Sequence, residues 1–277
     1  MIAPAKLNLC LYVGRPREDG LHEICSLFVP LSLSDRLHVS PAGGLEDEVV
    51  CRGIEGPDLT ARALAALREA GWMQWPVRIE VEKRIPVAAG LGGGSADAAA
   101  VLRLASADVD PGRLAEIAEA LGADVPSQVK PAFSLVGGAG ERVTPLPEPD
   151  PFAVVLLPDP EGLSTAAVYS EADRLGTTRE EGELERFRGE LLGAAAAGAS
   201  PLDYRELLVN DLAHAAISLR PMIAEALTKL TETGAEHVLV TGSGPTAVGL
   251  FANVTDAEEA ASAIGRQAIV ATSGMMR

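Results

Sequence analysis

A glycine-rich run between a predicted strand and a predicted helix is the feature that most constrains this chain. The run, AGLGGGSADAA at residues 89–99, follows VRIEVEKRI at 77–85, where apolar and polar residues alternate as in a half-buried strand. Residues 95–104 continue as an alanine-rich helix without helix breakers. A strand, a glycine loop and a helix start together point backbone N–H groups and the helix dipole at one place. This arrangement favours a phosphate-binding loop.

A linker, a Walker A loop and a dinucleotide-binding loop each fit the glycine run less well. A flexible linker would not lie between two regular elements, and no Lys-Ser or Lys-Thr pair follows the glycines as a Walker A loop requires. Gly90 and Gly92 could begin a dinucleotide-binding fingerprint, but Ser95 stands at its third glycine position. The acidic residue expected at the end of a following strand is not evident either. A purely structural turn stays as the main alternative.

Two short motifs carry side chains suited to chemistry, although each also fits an ordinary structural role. In PAKLN, at residues 4–8, Lys6 and Asn8 project to the same face of a predicted strand, because side chains alternate along it. A lone pair of this kind is more often a solvated sheet edge. In LGADVPSQV, at residues 121–129, Asp124 either caps the next short helix or acts as a general base on a rigid turn. Taken singly, both motifs favour the structural role.

The charge and the cysteine content exclude several classes of protein. The 277 residues carry a formal net charge of −16 without any Lys/Arg cluster, which argues against nucleic-acid binding. Cys10, Cys25 and Cys51 are odd in number and form no CxxC pair, so a disulfide framework or a zinc site is not expected. The sequence shows neither a signal peptide nor an apolar run of membrane-spanning length. We therefore expect a soluble cytoplasmic protein that does not act at a membrane.

The order of the predicted elements indicates an α+β fold in two domains. The proline cluster at 145–151 is interpreted as the linker, which gives domains at 1–147 and 148–277. A turn is predicted at Ser34–Asp35 within the second strand region. Strands are predicted at 5–13, 27–39, 77–85, 152–158 and 267–272, with a strand, glycine turn and strand over 237–252. Helices are predicted at 58–70, 95–104, 111–121, 165–175, 183–197, 203–218, 221–233 and 256–266.

Taken together, three motifs resemble the signature of the GHMP small-molecule kinases. They are PAKLNLCLYV at 4–13, PVAAGLGGGSADAA at 86–99 and TGSGPTAVGLF at 241–251, and their order and spacing match across nearly the whole chain. The resemblance implies an N-terminal mixed α/β nucleotide-binding domain and a C-terminal ferredoxin-like α+β domain. It also implies ATP as the co-substrate with Mg²⁺ expected, although it does not identify the metal ligands.

Two further stretches resemble one branch of that superfamily. They are DGLHEICSLF at 19–28 and LGADVP at 121–126. The branch transfers the γ-phosphoryl group of ATP to the 2-hydroxyl of a cytidyl-diphosphate substrate in the non-mevalonate isoprenoid pathway. The resemblance implies Lys6 and Asp124 as catalytic residues. It implies an ATP-binding set of Leu59, Lys83, Pro86, Val87, Ala88, Ala89, Gly90, Leu91, Gly92, Gly93, Gly94, Ser95 and Ala96. The implied substrate-binding set is Asn8, Leu21, His22, Thr165, Tyr169, Gly242, Ser243 and Gly244.

The chain departs from the family pattern at a few positions. Leu21 stands where the family usually has an aromatic residue that stacks on cytosine, and Ala96 replaces a frequent second Ser in the ATP loop. These departures bear on substrate affinity more than on reaction class. One alternative is another GHMP kinase acting on homoserine, mevalonate or a sugar, which His22 and Tyr169 disfavour, and a weaker one is a nucleotide-dependent oxidoreductase. The sequence does not distinguish a monomer from a homodimer.

Overall fold

A computed structural model describes residues 1–52, 58–72, 75–196 and 198–274. Its strands are β1 Ile2–Asn8, β2 Tyr12–Pro16, β3 His22–Pro41, β4 Glu48–Cys51, β5 Val77–Glu82, β6 Ser134–Gly138, β7 Arg142–Pro145, β8 Ala153–Leu157, β9 His237–Val240, β10 Ala247–Phe251 and β11 Ile269–Thr272. Its α-helices are α1 Leu59–Glu69, α2 Gly93–Leu104, α3 Pro111–Leu121, α4 Val125–Val129, α5 Thr165–Leu175, α6 Glu181–Ala195, α7 Ala213–Leu219, α8 Met222–Glu232 and α9 Val254–Ile264. A 3₁₀-helix spans Pro201–Leu207.

The larger sheet is organised around the long strand β3. This strand pairs antiparallel with β1, β2, β5 and β6, while β4 runs parallel to β5 and β7 pairs with β6. Helices α1 and α2 pack on one face of the sheet, where Leu37, Ile79 and Val81 contact their buried residues. The small alanine side chains of α2 allow this helix to lie close to the strands, and every residue from Ala96 to Leu102 is buried.

The smaller sheet has the order β11-β8-β10-β9 and is wholly antiparallel. Alternation along β8 gives it two buried faces, as expected for a strand covered on both sides. Val154 and Leu156 face a core cluster that also contains Leu27 and Leu31 of the larger sheet. Val155 faces a second cluster formed with α8 and α9. One hydrophobic core therefore connects the two sheets, and the α+β class expected from the sequence is confirmed.

The change from one sheet to the other supports the predicted domain boundary. The strands of the larger sheet end at Pro145, and those of the smaller sheet begin at Ala153. The proline-rich stretch 145–151 lies between them. The boundary between 147 and 148 stays a prediction, since the shared core joins the two parts. None of the described helices is both long enough and apolar enough to cross a membrane.

Most predicted helices begin and end within a few residues of the observed ones, but three predictions are wrong. Strand β3 continues through Ser34–Asp35 without a turn. The predicted strand 5–13 is divided, because the N–H of Leu11 leaves the sheet and bonds the carbonyl of Val209. The predicted helix 203–218 is instead a 3₁₀-helix that ends at Leu207, a non-helical segment and α7. The predicted helix end at residue 197 lies outside the described residues.

Candidate active site

A cavity of about 950 Å³ is lined by residues from both halves of the chain. It brings together all the residues predicted for the site except two. Ala96 lies fully buried in α2, and Gly244 packs behind the glycine loop, where its carbonyl oxygen would lie 2.7 Å from a Cβ placed on Gly90. The predicted residues that line the cavity are Lys6, Asn8, Leu21, His22, Leu59, Lys83, Pro86, Val87, Ala88, Ala89, Gly90, Leu91, Gly92, Gly93, Gly94, Ser95, Asp124, Thr165, Tyr169, Gly242 and Ser243.

The glycine loop takes a backbone path that other residues would disfavour. Gly90 and Gly92 have φ values of 75° and 68°, in the left-handed region that glycine adopts at low cost. A Cβ on Gly92 would lie 2.8 Å from Cγ of Lys6, so glycine also permits close approach to that side chain. Gly92 precedes α2, and no described side chain caps this helix start. The first N–H groups of α2 are therefore available to an anion at the cavity wall.

Lys6 and Asp124 form an ion pair inside the cavity. Nζ of Lys6 lies 3.2 Å from Oδ2 of Asp124, and their side chains are 7% and 31% exposed. Asp124 immediately precedes α4, but its carboxylate caps no N–H of that helix. The predicted capping role of Asp124 is therefore wrong, because its side chain is directed to Lys6 instead. The Lys6 ammonium also lies 4.7 Å from the centroid of the Phe28 ring.

Both polar atoms of the Asn8 side-chain amide, Oδ1 and Nδ2, form hydrogen bonds. Its Oδ1 accepts a 2.5 Å hydrogen bond from Nζ of Lys6, and its Nδ2 donates to Oγ of Ser26 at 2.9 Å. The Ser26 hydroxyl in turn donates to the carbonyl of Cys10 at 2.5 Å. The backbone N–H of Asn8 donates to Oγ1 of Thr241, which precedes the glycine turn of the third motif. Asn8 thus positions the Lys6 ammonium, and the predicted contact of Asn8 with substrate stays a prediction.

Sequence reasoning missed the two carboxylates that hold Lys83. Nζ of Lys83 donates to Oδ2 of Asp35 at 2.5 Å and to Oδ2 of Asp97 at 2.8 Å. Burial raises the pKa of Asp97 to about 7, although the Lys83 charge opposes the rise. Burial alone would lower the pKa of Lys83, but the two carboxylates raise it above its ordinary value. Two sequence signals could have identified them: Asp97 is an isolated acidic residue in an alanine-rich helix, and Asp35 lies inside an apolar strand.

Four of the predicted substrate-binding residues lie where α5 lines the cavity, namely His22, Tyr169, Thr165 and Ser243. The rings of His22 and Tyr169 have centroids 5.0 Å apart and are tilted by 43°. Oγ1 of Thr165, the first residue of α5, lies 3.0 Å from Oγ of Ser243. Burial, with a smaller contribution from the Asp124 charge, raises the pKa of Tyr169, so its phenol stays neutral. Leu21 is 53% exposed and lines the cavity.

The cavity offers few free oxygen ligands for Mg²⁺, which commonly takes most of its ligands from nucleotide phosphates and water. The described residues contain no group of three or more His, Cys, Asp or Glu side chains suited to a metal ion. Asp35 and Asp97 are engaged by Lys83, and Asp124 is engaged by Lys6. The described residues therefore do not form a dedicated metal cage, and no protein ligand is assigned to Mg²⁺.

The chain is similar to known proteins over most of its length. Residues 58–138 match the family described as GHMP kinases N terminal domain, and residues 182–270 match GHMP kinases C terminal. A protein from Anaeromyxobacter sp. (strain Fw109-5), named 4-diphosphocytidyl-2-C-methyl-D-erythritol kinase, is 38% identical, with 97% of this chain and 87% of the relative covered.

Two solved structures are similar over nearly the whole chain. A crystal structure of 4-(cytidine 5'-diphospho)-2C-methyl-D-erythritol kinase gives a TM-score of 0.80 at 37% identity, covering 99% of this chain and 98% of that one. Homoserine kinase from Cytophaga hutchinsonii, with a TM-score of 0.70 at 17% identity, covers 99% and 93% and shares the fold. The resemblance expected from the motifs is confirmed: the chain belongs to the GHMP small-molecule kinases and, within them, to the 4-diphosphocytidyl-2-C-methyl-D-erythritol kinase family.

Proposed function

We propose that this chain transfers the γ-phosphoryl group of ATP to the 2-hydroxyl of 4-diphosphocytidyl-2-C-methyl-D-erythritol in the non-mevalonate isoprenoid pathway. The observation that carries the proposal is the Lys6–Asp124 ion pair in the same cavity as the glycine loop. Phosphoryl transfer requires positioning, charge stabilisation and removal of the hydroxyl proton, and little covalent chemistry by the protein. The named relatives in the same family support the choice of substrate.

The glycine loop and the start of α2 are proposed to hold the phosphates of ATP. The chain carries a net charge of −16, so a local device must attract an anionic ligand. Backbone N–H groups of Gly90 to Ser95 and the positive end of the α2 dipole provide it. Leu59 and Lys83 line the part of the cavity proposed for the nucleoside. If bound, Mg²⁺ would supply charge neutralisation at the ATP phosphates, and no described residue is assigned to hold it.

Asp124 is proposed to accept the proton of the attacking hydroxyl, with Lys6 as its electrostatic partner. The Asp124 side chain is partly exposed in the cavity, so a substrate hydroxyl has access to it. The Lys6 ammonium is nearly buried and is held by Asn8, so it stays in place to stabilise developing negative charge. The residues proposed to contact the cytidyl-diphosphate end are His22, Leu21, Tyr169, Thr165 and Ser243.

Substrate identity is tested by measuring ATP consumption with a panel of alcohols. We expect turnover with 4-diphosphocytidyl-2-C-methyl-D-erythritol and only background consumption with homoserine or mevalonate. The reason is that neither of the other two alcohols presents a pyrimidine to His22 and Tyr169. Equal or faster turnover of homoserine or mevalonate would assign the chain to a different GHMP kinase activity.

The role of Asp124 is tested by Asp124→Asn. The substitution keeps the size of the side chain but removes the proton acceptor, so kcat should fall by about 10²- to 10⁴-fold. ATP binding, measured by titration, should change by less than about two-fold, because the proposed phosphate contacts come from the glycine loop. Asp203→Asn, at an exposed position of the 3₁₀-helix outside the cavity, serves as the control. Turnover of Asp124→Asn near that of the unaltered chain would eliminate Asp124 as the base.

A further inference from the structure

We propose that Asp173 is a specificity-determining residue, which together with His22 selects cytosine over uracil through the exocyclic amino group of the base. The assignment rests on the proposed function, since it concerns the base of the same substrate. Asp173 lies on α5, belongs to none of the motifs that carry the family resemblance, and lines the cavity beside His22 and Tyr169.

Asp173 is placed next to two residues already expected at the base. It follows Tyr169 by four positions on α5, a spacing that puts both side chains on one face of a helix. Oδ2 of Asp173 lies 3.4 Å from Nε2 of His22. The Asp173 side chain is 38% exposed, while that of His22 is 6% exposed. A carboxylate, an imidazole nitrogen and an aromatic ring thus converge on one part of the cavity.

The hydrogen bond at Nδ1 of His22 determines whether Nε2 of the neutral ring donates to a ligand or accepts from it. Nδ1 of His22 lies 2.7 Å from the carbonyl oxygen of Gly14, which can only accept a hydrogen bond. The proton must therefore be on Nδ1, and in the neutral ring Nε2 is an acceptor. Asp173 presents a second acceptor beside it. Within the described part of the chain, Nε2 of His22 is the one group in contact with the Asp173 carboxylate.

Two adjacent acceptors fit a group that donates two hydrogens. The exocyclic amino group of cytosine has two N–H bonds, whereas uracil carries a carbonyl oxygen at the same ring position. The amino group can donate one hydrogen to Nε2 of His22 and the other to Asp173, and a bond to a carboxylate is the stronger kind. The uracil oxygen would face two acceptors and leave both without a partner, which disfavours binding.

Beside His22 and Asp173, the ring of Tyr169 provides a surface on which a flat base can stack. Leu21, in the position where the family usually has a second aromatic residue, is aliphatic and largely exposed. Stacking therefore contributes less here than in a two-sided aromatic arrangement. The polar contacts to His22 and Asp173 are then expected to carry more of the discrimination between bases.

A structural role for Asp173 predicts a different result from a role in specificity. If the carboxylate only orients His22, its removal should weaken cytidyl and uridyl ligands equally. If it reads the amino group, its removal should change their ratio. The decisive measurement is therefore kcat/KM for 4-diphosphocytidyl-2-C-methyl-D-erythritol and for the analogue with uracil in place of cytosine, determined on the full chain.

For Asp173→Asn we expect the cytidyl-to-uridyl ratio of kcat/KM to fall by about 10- to 100-fold, because an amide can also donate to the uracil oxygen. Asp173→Ala, which removes both acceptor atoms, should shift the ratio in the same direction. Glu171→Gln removes a negative charge from the same helix at a residue outside the cavity lining and should leave the ratio unchanged.

If Asp173→Asn and Asp173→Ala slow both substrates equally, the cytidyl-to-uridyl ratio of kcat/KM stays unchanged. That result would overturn the assignment of Asp173 but not the proposed function. Failure of the unaltered chain to phosphorylate the cytidyl substrate would overturn the proposed function and this assignment with it. Thermal unfolding of each variant shows whether it is folded. Since Asp173 is partly exposed, its two variants are expected to unfold close to the unaltered chain.

Discussion

At the level of single residues, a short chain of hydrogen-bonded, buried polar groups holds the Lys6 ammonium in position. The Ser26 hydroxyl donates its hydrogen bond to the carbonyl of Cys10, so its oxygen accepts the hydrogen bond from Nδ2 of Asn8. This fixes the orientation of the Asn8 amide and directs Oδ1 to Lys6. Ser26 is therefore a positioning residue for the site, although it is fully buried and lies outside the cavity lining.

Ser26→Ala should lower kcat by about 10-fold while the KM for ATP changes little. Loss of the hydroxyl leaves a buried amide N–H without a partner, at a cost of about 1–3 kcal/mol, and frees the Asn8 amide to turn away from Lys6. Ser26→Thr keeps the hydroxyl and should recover much of kcat. Ser34→Ala removes a hydroxyl elsewhere on β3 and is the control. A rise in the KM for ATP at constant kcat would contradict the positioning role.

Between secondary-structure elements, the glycine loop contacts the glycine turn that joins β9 to β10. Oγ1 of Thr246 donates to the carbonyl of Ala89 at 2.6 Å. A Cβ on Gly90 would lie 2.7 Å from the carbonyl oxygen of Gly244 and 2.9 Å from that of Thr241. The second and third family motifs therefore touch, although they are far apart in sequence. The C-terminal part of the chain helps to shape the loop proposed to bind ATP.

Gly90→Ala should lower the free energy of unfolding by about 2–4 kcal/mol and raise the KM for ATP. An alanine at φ 75° is strained, and its methyl group would overlap the backbone carbonyls of the neighbouring turn. Gly94→Ala is the matched control, because Gly94 is helical and its nearest neighbour, Cδ1 of Leu59, lies at 3.6 Å. That variant should be as stable as the unaltered chain or gain up to about 1 kcal/mol. Equal chemical-denaturation curves for the two variants would contradict the bracing of the loop by the turn.

In the molecule as a whole, a buried charge cluster links the larger sheet to α2. Asp35 of β3 is fully buried and also accepts hydrogen bonds from the N–H groups of Arg84 and Ile85, while Asp97 comes from α2. Lys83 lies between the two carboxylates, and Oδ1 of Asp97 has no hydrogen-bond partner among the described residues. The cluster fixes the helix to the sheet beside the glycine loop, but it buries more negative charge than positive.

Stability should therefore depend on pH through Asp97. The pKa of Asp97 is 3.8 in an unperturbed chain and about 7 in the folded protein, where burial disfavours its charge. Between these values the folded state binds more protons than the unfolded state, so the contribution of Asp97 to stability is present below about pH 4 and is lost by about pH 7. Asp97→Asn carries no such proton and still leaves Asp35 as a partner for Lys83.

The difference in unfolding free energy between Asp97→Asn and the unaltered chain should increase in favour of the variant as pH rises from about 4 to 7. Urea denaturation at a series of pH values measures it. Asp203→Asn, at an exposed position, should give a difference that stays nearly constant over the same range. A constant difference for Asp97→Asn as well would mean that Asp97 has the same proton affinity in both states.

Local patterns predict the elements but not their partners. Periodicity, the N-terminal Pro111 and the C-terminal Gly122 predict helix α3, and it spans Pro111–Leu121 as predicted. A turn is predicted at Ser34–Asp35 within a strand region. In the folded chain three donors surround the Asp35 carboxylate, so β3 continues through it. Those donors come from a distant segment, and no local pattern identifies them.

The amino-acid sequence was sufficient to predict the strand, glycine loop and helix, the family, and the residue types of the proposed site. Each of these depends on backbone geometry or on motif spacing along the chain. The folded structure was needed to show that Lys6 meets Asp124, that Asp97 shares Lys83 with Asp35, and that Asp173 lies beside His22. The physical reason is that side-chain pairing depends on distances in the packed molecule, where the order of residues along the chain no longer determines which groups are neighbours.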